Sequence, residues 1–170
     1  SFEEASTFAD YMLRRVNGRV PVIVGVSAAG TGVLARLSRD AMDKGAAGVM
    51  IAPPKGIATD DAHYTYYEQC FNALGPDIPV CHQDFPLSTG VHLSASLFTR
   101  MVADFPKLVM LKHEDWPGLN KLSTVRQMAK DQGTRRVSIL CGNGGVFLPE
   151  EMQRGADGAM TGFAYPEMLV

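Results

Sequence analysis

A chain of 170 residues is enough for about one domain. Its 46% hydrophobic and 20% charged residues, with a net charge of −2, exclude intrinsic disorder and force no basic face, so nucleic acid is not an expected partner. The three cysteines, Cys70, Cys81 and Cys141, are odd in number and lack CxxC spacing, which excludes a disulfide framework or zinc ribbon and predicts a reducing cytoplasm.

The pattern predicts a first helix from about Glu3 to Val16, stopped by Gly18. An apolar, β-branched run at residues 20–26 follows as the first strand, and Val33, Leu34, Leu37 and Ala41 mark a helix started by Thr31. Residues 48–52 form the second strand. Tyr67, Cys70, Phe71 and Leu74 then fall on one helical stripe, with Asp60 or Asp61 as cap and one exposed tyrosine expected among Tyr64, Tyr66 and Tyr67. The third strand is residues 78–83, and Leu93, Leu97, Phe98, Met101 and Val102 mark the next helix. The fourth strand is residues 107–112, followed by a helix through Leu119, Leu122, Val125, Met128 and Ala129 that ends before Gly133. Residues 137–141 and 158–161 complete six strands, with a stub beyond. No apolar run approaches the ~20 residues that span a bilayer, so no membrane partner is expected.

Strict alternation of helix and strand means an α/β fold, and strands without polar alternation read as parallel and buried on both faces. An open doubly wound sheet and a closed (β/α)8 barrel both fit this order. In either, ligands gather at the C-terminal ends of strands, here residues 25–27, 53–55, 82–84, 112–115, 141–145 and 161–163.

Lys112 is the most informative residue. It ends the apolar strand Leu108-Val109-Met110-Leu111-Lys112, and a period of two puts Leu108, Met110 and Lys112 on one face. An amine buried there is available in its neutral form to attack a carbonyl and form a Schiff base. The plainer reading is a strand-end lysine that reaches out beside Glu114 or Asp115. Of His82 and Gln83, one faces the same interior and the other a helix. His113 should face away from Lys112, and Cys81 and Cys141 read as small core residues. The His and Cys positions have no metal-ligand spacing, so no metal or cofactor is expected.

Six segments together resemble the dihydrodipicolinate synthase / N-acetylneuraminate lyase family of pyruvate-dependent class I aldolases. VPVIVGVSAAGTG (20–32) is similar to the family's third strand and glycine-rich turn, and VMIAPP (49–54) to its fourth strand. IPVCHQDFPLSTG (78–90) is similar to the fifth, LVMLKHED (108–115) to the lysine-bearing sixth, ILCGNGG (139–145) to the seventh, and GADGAMT (155–161) to the eighth. The resemblance implies an incomplete TIM barrel, roughly strands three to eight, as one partial domain over residues 1–170. The family's second-strand motif would lie before Ser1. The lack of an initial Met, and an end within an apolar stretch, lead to the expectation of a piece of a longer protein. Two open sheet edges would make that piece poorly soluble alone.

The resemblance also implies a role for each site residue. Lys112 would form the Schiff base with pyruvate or another 2-oxo acid, in a lyase, aldolase or dehydratase whose parent protein is a homo-oligomer. Gln83, Gly142, Asn143 and the Met160 backbone would contact substrate. Two departures stand out: Gln83 replaces the family's proton-relay tyrosine and cannot transfer protons as a phenol does. Ser88 replaces the arginine found in some members, which argues against dihydrodipicolinate synthesis itself. Two alternatives remain. GNGGV (142–146) with GADGAMTG (155–162) could grip a phosphate or flavin mononucleotide, or the barrel could bind a 2-oxo acid without catalysis.

Overall fold

The computed structural model describes residues 1–162. Its elements, in chain order, are α1 (Phe2–Val16), β1 (Ile23–Gly25), α2 (Thr31–Asp43), β2 (Gly48–Ile51), α3 (Asp60–Leu74), β3 (Val80–Asp84), α4 (Pro86–Thr89), α5 (Ala95–Asp104), β4 (Leu108–His113), α6 (Leu119–Gln132), β5 (Ser138–Cys141), α7 (Leu148–Gln153) and β6 (Gly158–Ala159). The six strands are parallel and lie in sequence order, each hydrogen-bonded to the next. This is an incomplete (β/α)8 barrel, because consecutive strands stay neighbours and every crossover carries a helix. No helix of the described residues is long and apolar enough to cross a membrane.

One face of the sheet packs beneath the helices. Val49, Ile51, Val80, Leu108, Leu111, Ile139 and Cys141 join Tyr67, Phe71, Leu97, Phe98, Met101 and Leu122 in one buried core. Burying each large side chain contributes about 1.5–3 kcal/mol, so this core dominates stability. Cys81, Gln83, Met110, Lys112 and Leu140 occupy the opposite face by strand alternation.

Several boundaries differ from the sequence reading. β1 begins at Ile23: Pro21 has no N–H to give, and Val20 is exposed. Thr59, not Asp60 or Asp61, caps α3 by accepting the Ala62 N–H at 3.2 Å, which leaves the two aspartates in the first turn near the positive end of the helix dipole. Ser94 caps α5, so Leu93 precedes that helix. None of the three tyrosines is exposed: Tyr67 is fully buried, with its hydroxyl donating to Ile51 O at 2.7 Å, and Tyr64 and Tyr66 are half-buried.

Leu108 does not share the face of Met110 and Lys112. Val80 pairs with Leu108 but Cys81 pairs with Met110, so Val109 is an extra residue in β4. The irregularity turns Leu108 into the helix-side core and leaves Val109 exposed. The parity of Met110 and Lys112 is unaffected, because the slip lies upstream of both.

Candidate active site

β3 and β4 pair over their last positions, which sets Gln83 beside Lys112 and Asp84 beside His113. Alternation then separates two environments. Gln83 and Lys112 point to the face away from the helices, and His82 points to α3. The chain turns off β4 at Glu114, whose N–H donates to Asp84 O at 2.8 Å. That bond aims the Glu114 side chain back over Gln83 and Lys112.

The Glu114 carboxylate is the hub of the site. Its Oε1 lies 3.2 Å from Lys112 Nζ and accepts a 2.7 Å hydrogen bond from Gln83 Nε2. Its Oε2 accepts the backbone N–H of Asn143 at 3.2 Å. The Glu114 side chain is 7% exposed and the Lys112 side chain 14%. A buried charge pair is tolerable only when its remaining hydrogen-bonding capacity is met, as Gln83 and Asn143 do here. Lys112 therefore satisfies parts of both readings: it is the interior strand-end amine, and it is partnered by Glu114.

Gly142 is positioned by its N–H to His113 O at 2.8 Å. It faces Glu114: a Cβ at 142 would overlap Glu114 Cγ and stand 2.8 Å from Oε2. Asn143, at φ 50°, begins a 3-10 turn (Asn143–Gly145), and its Nδ2 is buried without a hydrogen-bond partner among the described residues. Met160 is brought to the rim by donating its N–H to Cys141 O at 2.7 Å. Among the described residues it makes no hydrogen bond to Lys112, Gln83 or Glu114. Phe163, at the end of the sixth predicted rim segment, lies outside the described residues.

The glycine-rich turn offers little to a phosphate. Gly142 N–H is taken by His113 O, Asn143 N–H by Glu114 and Gly145 N–H by Gly142 O, and the turn faces a carboxylate.

Glu114 is the residue of this site that the strand pattern did not single out, because it lies just past the strand end where alternation no longer predicts direction. The other unforeseen feature lies behind β3. His63 and His82 are buried with Nε2 atoms 3.0 Å apart, and the His82 ring stacks on Tyr67 at 4.4 Å. Burial pushes His63 down to about 4, and His82 well below the ordinary histidine value, so both are neutral at pH 7. Burial also raises the Cys81 and Cys141 thiols to about 12.

A second polar cluster lies on the helix side of the strand ends. Lys121 Nζ sits 2.7 Å from Asp84 Oδ2 and 2.9 Å from Asp115 Oδ2. His113 approaches Asp84 at 3.5 Å, Gly118 O at 3.1 Å and Glu151 at 3.7 Å, facing away from Lys112 as alternation requires.

Comparison with known proteins agrees with this architecture. The chain is 33% identical over 169 residues to an L-2-keto-3-deoxyarabonate dehydratase from Azospirillum brasilense, covering 97% of this chain and 53% of that protein. It is 30% identical over 165 residues to a 4-hydroxy-tetrahydrodipicolinate synthase from Thermus thermophilus, covering 96% and 53%. The crystal structure of a dihydrodipicolinate synthase from Rhodopseudomonas palustris superposes with a TM-score of 0.95 at 50% identity, covering 99% of this chain and 56% of that one. The chain thus spans about half the length of the curated relatives it matches. Residues 1–165 match the dihydrodipicolinate synthetase family, and the chain belongs to it.

Proposed function

We propose that these six strands work within an eight-stranded barrel as a Schiff-base-forming lyase, with Lys112 as the nucleophile and Glu114 as the acid–base group. The observation that carries this reading is the 3.2 Å approach of Lys112 Nζ to a carboxylate held by Gln83 and Asn143. Glu114 takes the proton that frees the lysine amine. The amine adds to the C2 carbonyl of pyruvate or another 2-oxo acid, and Glu114 returns that proton to the carbinolamine hydroxyl, which leaves as water as the iminium forms and frees the carboxylate again. The iminium then draws electrons from C3: the C3 proton passes to Glu114 and its bonding pair becomes the C2–C3 double bond of an enamine. That enamine either attacks an aldehyde carbon or expels a C4 hydroxyl, which departs as water with the proton from Glu114. The first course is aldol addition, and the second is dehydration. A dehydratase and a synthase both stand among the relatives, and both courses share this enamine.

Gln83 holds Glu114 in place of a relay group, and Gly142 gives Glu114 the room it occupies. Asn143 Nδ2, buried and unpartnered, donates to substrate, and the Met160 main chain lines the rim. The three unpaired, buried thiols fit a cytoplasmic protein, and the barrel assembles as a homo-oligomer.

Cyanoborohydride reduction of the eight-stranded protein with excess pyruvate, followed by peptide mass mapping, tests the assignment. The expected product is a reduced pyruvyl adduct on Lys112. A folded protein that yields no adduct overturns it.

A further inference from the structure

We infer that Lys121 is a positioning residue for the reaction, acting through Asp84 and Asp115 to fix where the Glu114 carboxylate stands. The inference rests on the Schiff-base reading above. Lys121 lies on α6, outside the substrate face, yet its side chain is only 13% exposed and its ammonium bridges two carboxylates from different segments. Asp84, with a fully buried side chain, ends β3 directly after Gln83. Asp115 follows Glu114 in the turn off β4. The two carboxylates therefore follow the Gln83–Glu114 hydrogen bond in both segments, and one ammonium ties them together.

The tie is reinforced on each side. Asp84 O accepts the Glu114 N–H at 2.8 Å. His113 lies between Asp84, Gly118 O and Glu151 of α7, so the turn from Glu114 to Gly118 is held at both ends. Burial pushes the Asp115 carboxyl up, but the Lys121 hydrogen bond and charge, with the Trp116 amide, outweigh it and hold the group below the usual carboxylate range. The groups facing Glu114 itself are Lys112 from β4, Gln83 and the Cys81 thiol from β3, and the Asn143 amide. The Glu114 backbone is held by Asp84 O, and Lys121 ties the side chains of Asp84 and Asp115 together from behind.

Displacing a reacting group by ~1 Å costs about 10²-fold in rate. Both proton transfers to Glu114 feel it in rate, and the one that is read apart from the amount of imine formed is transfer of the C3 proton, in which the C–H electron pair enters the enamine and the iminium loses its charge. Return of a deuteron from D2O to C3 reverses it. Pyruvate methyl exchange in D2O, followed by proton NMR, reads that step, whereas cyanoborohydride trapping reads the imine alone.

In the eight-stranded protein, Lys121→Met is expected to form the Lys112 adduct at near wild-type pyruvate concentration dependence but to exchange methyl protons roughly tenfold more slowly, with a shifted pH profile. Lys121→Arg is expected to recover most of the exchange. Asp115→Asn keeps the buried Lys121–Asp84 pair and is expected to slow exchange a few-fold; it decides the matter if Lys121→Met does not fold. Wild-type exchange rate and pH profile in a folded variant overturn the inference. A wild-type protein that forms no adduct overturns the Schiff-base reading and this inference with it.

Discussion

Gly142 and Glu114 occupy one volume between them: the carboxylate side chain fills the place where any Cβ at 142 would stand. Gly142 has φ −107°, outside the left-handed region, and the reason the structure gives for glycine there is the space that Glu114 fills. Gly142→Ala is expected to cost about 1–3 kcal/mol by overpacking and to drive Glu114 off Lys112. Thermal denaturation and pyruvate methyl exchange check the two effects separately; an alanine variant with normal exchange removes the spatial argument.

Lys112→Met is expected to abolish the pyruvate adduct while leaving the fold, because Glu114 keeps Gln83 and the Asn143 amide as partners. Mass spectrometry after cyanoborohydride treatment measures it, and an adduct on another lysine reassigns the nucleophile.

Gln83→Leu removes the 2.7 Å donor to a nearly buried carboxylate. Leaving such a group under-satisfied costs about 1–3 kcal/mol. Stability should fall by that amount in urea titration, and adduct formation should persist at reduced methyl exchange.

The His63–His82 pair gives stability a defined pH dependence. The folded value of His63 is about 4, below the unfolded ~6.5, so between those limits the unfolded chain binds more protons than the folded one. Stability is therefore full above pH 6.5, declines as pH falls, and levels off near pH 4, a loss of about 3 kcal/mol from this group. Urea midpoints at pH 7.5, 5.5 and 4.5 should show that slope, and a His63→Leu/His82→Leu variant should flatten it. An unchanged slope in the variant assigns it elsewhere.

Cys70, Cys81 and Cys141 are all buried, and burial raises the Cys81 and Cys141 thiols to about 12. Iodoacetamide at pH 8 should leave them unmodified in the folded protein and label all three in urea. Rapid native labelling at any of them would show that the region around it opens.

Much of this arrangement is legible in the chain. The spacing of the apolar runs carries the parallel sheet, and alternation turns His113 away from Lys112 and puts one of His82 and Gln83 on the lysine's face; that it is Gln83 follows from the pairing of β3 with β4. What escapes is whatever depends on contacts between distant residues. Nothing local marks Val109 as the extra residue of β4, since the slip exists only relative to β3. Glu114 reads as a turn residue until the Asp84 carbonyl fixes its direction. His63 and His82 stand 19 positions apart in separate elements, so their pairing follows from how α3 lies on β3. Asp60 and Asp61 are as suitable for a cap as Thr59, and only the backbone geometry selects among them.

The described sheet tapers from its middle outward. β3 and β4 run to five and six residues, while β1 has three and β6 two. The β3–β4 ladder runs through five register pairs, against two between β5 and β6. Amides at Gln83 and Lys112 should then be among the last to exchange with solvent deuterium. The strands that carry Gln83 and Lys112 are the longest described and each is paired on both sides, so the site rests on the part of the sheet that holds the most backbone hydrogen bonds.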